Sequence, residues 1–381
     1  MRREDYKRLG EYIAPYLEKN VGLKVSLSQG ISNNKYFQTP RQVAVDSEND
    51  QIVRTGQFAY NKATTRNGEK ISIAYREGPD CTVSSAYQVF YIKDEEKLNP
   101  YYLLMWFKRP EFDRYARFKS FGSAHEFFTW EEMCNVYLPV PDINEQRKIV
   151  AEYQTVLKRI ENNKRFIKAL ESTAQAIYYH TFVENIDPEN LPEGWRKGTL
   201  GDFCDTQYGY TETATSGTIG PKFLRITDIV KNSIDWAQVP YCPISDVEYK
   251  KYKLELGDIV VSRTGANVGW AKQIKGNIPE AVFASFLIRI KTKEPIYQWL
   301  IGYLVESEEF KQFVSANQRG SAQPQANANV LVKYPIRLPD KELLEQFNKK
   351  ILVINGNISL VEQENSKLTE LQSLFLAKMG N

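Results

Sequence analysis

The chain has 381 residues, 42% of them hydrophobic and 13% aromatic, with a net charge of +3. That length and apolar content can fill about two globular units. So small a net charge leaves nucleic-acid contacts to local basic patches, and four cysteines without a C-x-x-C pair or a neighbouring histidine point away from zinc and from a disulfide framework.

The start, Met1-Arg2-Arg3-Glu4-Asp5-Tyr6, has no apolar signal core, and no apolar run approaches membrane length. The expectation is a cytoplasmic protein with no membrane partner. Residues 1–140 then show short β-type runs: Arg41–Val45, Gln57–Tyr60, Lys70–Tyr75 and Tyr87–Ile92, with polar loops between them. Asn99-Pro100 predicts a helix over Tyr101–Phe107, interrupted by Pro110, and a second over Glu111–Lys119. From Pro141 to Phe182 the sequence reads as one long helix. Asp142 and Glu145 have the spacing of a cap, and Ile149, Tyr153, Val156, Ile160, Ile167, Leu170, Ala174 and Ile177 recur by threes and fours, with Asn163 the polar member of the series. Such a seam asks for a partner helix along its whole length, and some 38 residues at about 1.5 Å each give roughly 57 Å.

A turn-rich linker, 185–195, leads into a second α/β stretch. Its strand candidates are Phe223–Ile226, Asp258–Ser262 and Phe286–Ile290, followed by helices over Ile296–Val305 and Ser307–Val314. The chain closes on another seam: Phe347, Ile351, Ile354, Ile358, Val361, Leu368, Leu371 and Phe375, with Asn365 in the series. The halves repeat. Glu111-Phe112 matches Glu309-Phe310, Gly122-Ser123-Ala124 matches Gly320-Ser321-Ala322 and Pro141-Asp142 matches Pro339-Asp340, all 198 positions apart. Glu145-Gln146 matches Glu345-Gln346 at 200, which predicts two residues entering just after the second proline.

The unit L-P-x-P-D followed by Glu145-Gln146 and a long helix resembles type I restriction-modification specificity subunits. So do Leu191-Pro192-Glu193-Gly194-Trp195, Leu256-Gly257-Asp258-Ile259-Val260 and Gly320-Ser321-Ala322-Gln323. The resemblance implies an α+β fold: two α/β target recognition domains, 1–140 and 187–338, separated by two long helices, 141–186 and 339–381, that form an antiparallel coiled coil. It also implies partners. These are double-stranded DNA, read as two half-sites, two modification (methyltransferase) subunits that carry the S-adenosylmethionine chemistry, and restriction subunits that can join them.

The residues themselves suit a subunit without catalysis or a cofactor of its own. Only His125 and His180 occur, and there is no phosphate-binding G-x-x-x-x-G-K-[ST] loop. Asn99-Pro100-Tyr101-Tyr102 resembles an amino-methyltransferase motif faintly and reads better as a helix start. Asp80 with Glu95 and Lys97 imitates a nuclease pattern, but the last two sit in a polar turn. For reading bases, Arg and Lys suit guanine, Asn and Gln suit adenine, and Ser and Thr suit several edges. Lys62, Thr64, Thr65, Arg66 and Asn67 have this composition, as do Arg263, Thr264 and Asn267, and Gln318, Arg319, Ser321 and Gln323. Tyr208 and Tyr210 could pack on sugar or on the domain, and Lys119, Lys250 and Lys251 could meet phosphates. A scaffold that binds only proteins is the competing reading; salt-dependent binding to a split DNA sequence separates the two.

Overall fold

The alternating runs of the first half fold as an antiparallel sheet. In the computed structural model, which describes residues 6–40, 48–63, 70–120, 126–230, 234–317 and 326–380, its strands are ordered Ile13–Tyr16, Tyr87–Ile92, Phe58–Asn61 and Ile73–Tyr75. The expected strand Arg41–Val45 lies outside the described residues. Register sets Phe58 opposite both Phe90 and Tyr75, and the rings meet at 5.1 and 4.8 Å. Phe107 closes over them edge-on, 5.9 Å from Phe58. It comes from the helix Pro100–Phe107, which starts where Asn99 accepts from the Tyr101 and Tyr102 amides. The next helix, Pro110–Phe118, begins on the proline rather than after it. The first helical position needs no N–H, so proline starts a helix as readily as it stops one.

Residues 1–161 and 367–381 form one unit, and residues 162–366 form another. In the first, Tyr6–Arg8 pairs with Tyr137–Pro139, and the Tyr6 hydroxyl donates to the Gly380 carbonyl at 2.9 Å. Val150 and Tyr153 of the central helix, Ile143–Phe182, are buried with Met379 in its core. Gln372 donates to the Tyr153 hydroxyl at 3.0 Å. Phe375 and Leu376 pack against the same core, whereas Leu371 is 40% exposed. At that point of the expected seam Gln372 faces the partner helix, and Leu371 is turned away.

The second unit repeats the plan. Its sheet is ordered Cys204–Tyr208, Leu287–Thr292, Ile259–Ser262 and Ala271–Gln273, all antiparallel, and Arg196–Thr199 pairs with Pro335–Leu338. A small pair, Lys222–Leu224 with Ala281–Phe283, is parallel, where its counterpart in the first unit, Gln51–Val53 with Cys81–Val83, is antiparallel. Ile226 does not finish the strand expected over Phe223–Ile226. It opens the helical turn Ile226–Ile229, because the Asp228 carboxylate accepts from both the backbone amide and the guanidinium of Arg225. Helices Gln298–Val305 and Glu308–Ala316 follow the sheet as their counterparts do.

Within this unit the rest of the central helix runs antiparallel to the C-terminal helix, Lys341–Lys378. Phe182 meets Phe347 at 4.8 Å, while nineteen residues earlier the Asn163 amide donates to Asn365 Oδ1 and Glu364 Oε2, both at 3.0 Å. Ala174, Tyr178, Ile351, Ile354 and Ile358 fill the seam between, with Ile167 and Leu170 packed against it. Of the other expected seam positions, Val156 is buried, and Ile149, Ile160 and Leu368 are half-buried.

The two long helices start at Ile143 and Lys341, 198 residues apart, and Asp142 and Asp340 each accept from the third amide onward. No residues enter after the second proline. Gln146 is buried, donating to Lys97 and Pro141 carbonyls and accepting from the Asn99 amide, while Leu344, 198 residues on, takes the equivalent buried place. Gln346 is exposed. The repeated Glu-Gln pair is a coincidence of letters, because the two glutamines do different jobs.

Candidate nucleic-acid interface

The corresponding sheet ends of the two units carry the same construction. In the second unit, Ile259–Ser262 ends at Arg263, whose carbonyl accepts from the Ala326 amide at 2.9 Å and whose amide donates to the Phe286 carbonyl at 3.1 Å. In the first, Phe58–Asn61 ends at Lys62, whose carbonyl accepts from the Phe128 amide at 2.8 Å. Phe128 and Ala326 are themselves 198 positions apart. Each sheet therefore fixes one basic residue beside the segment that follows its second helix.

Arg263 is held side-on. Its guanidinium lies over the Tyr208 ring, 4.8 Å from the centroid, and Nη1 donates to the Ser285 carbonyl at 3.5 Å. Tyr208 in turn accepts from the Ala328 amide at 3.2 Å. A stacked guanidinium loses little freedom on binding and presents a planar fork of donors, suited to a guanine edge or a phosphate. Thr264 precedes and Asn267 closes the tight turn Gly265–Asn267, where Gly265 has φ +74° with open space around it. A left-handed residue there favours glycine.

Thr64, Thr65, Arg66, Asn67, Gln318, Arg319, Ser321 and Gln323 lie outside the described residues. Lys119 is already neutralised, 3.5 Å from Glu132. Lys251 lies over the Tyr252 ring at 4.9 Å, and Tyr210 packs on Tyr252 at 5.4 Å, so that tyrosine belongs to the domain. Asp80 is bound to Arg54 at 2.7 Å and accepts from the Thr55 amide, a structural pairing that holds its carboxyl below the usual range. Among the described residues, no group of three or more His, Cys, Asp or Glu could hold a metal ion. Phe286 escapes the sequence reading because the residue pattern makes it the first residue of a strand. The strand begins one residue later and leaves the ring 58% exposed.

The second unit also encloses a cleft of about 370 Å³ between the Ala271–Gln273 strand and the paired helices, lined by Trp236, Trp270, Tyr303, Glu171 and Glu362 among others. Burial pushes both carboxyls up. Lys272 and Lys275 oppose this at Glu171, and the Asn277 amide opposes it at Glu362.

Residues 14–172 and 192–371 each match the family described as Type I restriction modification DNA specificity domain. The chain belongs to this family. The double match follows the structural repeat, one copy per half of the sequence. Among curated specificity-family relatives, the chain is 24% identical over 261 residues to the Type I restriction enzyme MjaVIII specificity subunit of Methanocaldococcus jannaschii. That alignment covers 64% of this chain and 60% of the relative, so the match spans well short of its full length. It is 21% identical over 313 residues to the MjaIX specificity subunit of the same organism, covering 73% and 67%. A solved type I restriction-modification S subunit from M. genitalium shares the fold, with a TM-score of 0.52 at 13% identity over 99% of this chain and 96% of that one.

Proposed function

We propose that the chain is the non-catalytic DNA-specificity subunit of a type I restriction-modification complex. Residues 1–140 and 187–338 each read one half of a bipartite, asymmetric DNA site, and the long helices set the spacing and dock two methyltransferase subunits. The observation that carries this reading is the repeated sheet end, which fixes Lys62 in one domain and Arg263 in the other at equivalent places. The two reading positions differ in chemistry. Lysine is a point charge, whereas the stacked arginine is a bidentate fork, so unlike half-sites are expected.

Docking on the helices is supported by Leu352, Val353 and Leu360 of the C-terminal helix, which are all exposed on a surface otherwise rich in charge. Apolar positions at helical spacing are what a partner helix buries. The methyl-transfer chemistry belongs to those partners, and restriction subunits can join the assembly.

The test is a domain exchange. Residues 187–338 are replaced by the matching domain of a relative, the complex is assembled with its methyltransferase subunits, and host methylation is mapped by single-molecule sequencing. One half-site should change and the other persist. Both changing together, or methylation without sequence preference, would refute independent reading. Binding to the split site that ignores salt would favour a protein-binding scaffold.

A further inference from the structure

We propose that Phe286 is a base-contacting residue of the second recognition domain, an aromatic ring held rigidly outward to make an apolar contact with an exposed base edge, such as a thymine methyl, of one half-site. This rests on the proposed DNA-reading function and adds to it the chemistry of one contact: apolar, directed at a base, and present in only one of the two domains.

Phe286 is 58% exposed and sits on a turn pinned from several directions. The Ala284 amide donates to the Leu224 carbonyl at 2.9 Å, Ser285 to Tyr210 at 2.8 Å, and Leu287 back to Ala284 at 2.9 Å. The Phe286 carbonyl accepts from Arg263 at 3.1 Å. Gly209 passes so close beneath that a Cβ there would lie 2.2 Å from the Ala284 carbonyl oxygen. The backbone carrying the ring therefore has little freedom. Tyr208, 42% exposed, pairs with Ile288, two residues on, and the Arg263 guanidinium stacked on the tyrosine ring donates to the carbonyl of Ser285, the residue before Phe286. An apolar ring near a planar cation is a combination that reads duplex edges, the ring a thymine methyl and the cation a guanine or phosphate.

The turn itself does not need the ring. In the first unit, strand Tyr87–Ile92 stands where Leu287–Thr292 stands in the second, 200 residues on, and the Tyr87 amide closes the same turn onto Ser84 at 3.0 Å. The residue in the place of Phe286 is Ala86. An alanine closes the turn, so the phenylalanine is there for what it meets outside the fold.

The experiment compares the full chain, assembled with its methyltransferase subunits, with Phe286→Ala and Phe286→Trp, by fluorescence anisotropy on duplexes with and without the mapped site across a salt series. Phe286→Ala should weaken site-specific binding about tenfold. It should leave non-specific binding and the salt slope unchanged, because no phosphate contact is lost. Phe286→Trp should stay within about threefold of the unaltered complex, since the larger apolar ring can still cover the base edge. Unchanged specific binding by Phe286→Ala overturns the proposal. So does a loss shared by Phe286→Trp, or one accompanied by a lower melting temperature. If the unaltered complex itself fails to prefer the site, the reading of the chain as a DNA-specificity subunit falls instead.

Discussion

Lys35 and Asp113 form an ion pair at 2.5 Å in the interior of the first unit, with side chains 4% and 11% exposed. Desolvation pushes the Lys35 ammonium down, and only the Asp113 charge and hydrogen bond oppose it. The pair is fully engaged: Lys35 also donates to the Ile71 carbonyl, Asp113 accepts from the Ile71 amide, and the Phe112 ring lies 5.5 Å from the ammonium. Removing one partner leaves a buried charge alone, so Lys35→Met should cost about 3–5 kcal/mol in urea unfolding, and adding Asp113→Leu should recover part of it. Glu171 and Glu362 pose the opposite case, carboxyls raised chiefly by burial. A carboxyl whose folded pKa lies above its unfolded value contributes stability below the unfolded pKa and loses it as pH rises through the folded one. Glu362→Gln should therefore raise the melting temperature more at pH 8 than at pH 5, as thermal scans at the two values would show. Equal shifts at both would mean that the Glu362 charge is already compensated.

At the scale of elements, the long helices are held by a seam with a polar interruption. Asn163 donates to both Asn365 and Glu364, so Asn163→Leu alone takes a donor away from two polar side chains and should lower the melting temperature. Asn163→Leu with Asn365→Leu should regain stability yet loosen the choice of register, visible as heterogeneous crosslinking between cysteines placed along the seam. That seam is legible in the sequence because a 3.5-residue period repeated over ten turns leaves few other structures. Tyr87–Ile92 is legible for the same reason at period two, with five of its six residues of β-forming type. Short elements are not. Cys204–Tyr208 pairs with Leu287–Thr292, distant in sequence, and the three-residue strand Ala271–Gln273 carries too little periodicity to announce itself. The Glu-Gln repeat misleads because identical letters say nothing of burial; Gln146 is interior and Gln346 is on the surface. Lys62 and Arg263 stand out by charge, but their equivalence does not, since it resides in backbone hydrogen bonds that either side chain permits. Phe286 is hidden by a one-residue shift at a strand boundary, the least certain thing that a propensity pattern gives.

At the scale of the molecule, the proposed role of the central helix as a ruler can be measured. Four residues inserted after Lys164 would lengthen it by about 6 Å and turn the remainder of the helix by about 40°. A DNA base pair advances about 3.4 Å and rotates about 34°. Methylome mapping should then find both half-sites unchanged and the spacer between them longer by one or two base pairs; a retained spacer would mean that another element sets the distance. A different consequence comes from the hydrogen bond between Tyr6 and Gly380. The first strand and the end of the last helix meet in the same unit, so the polypeptide there is a ring with a nick. Where the nick falls should matter little. A circular permutant that joins residue 380 to residue 6 through a short Gly-Ser bridge, and opens at the exposed 187–190 turn, keeps every strand pairing and both long helices. It should melt at nearly the same temperature and direct methylation to the same sequence, with the order of the two readers along the gene reversed.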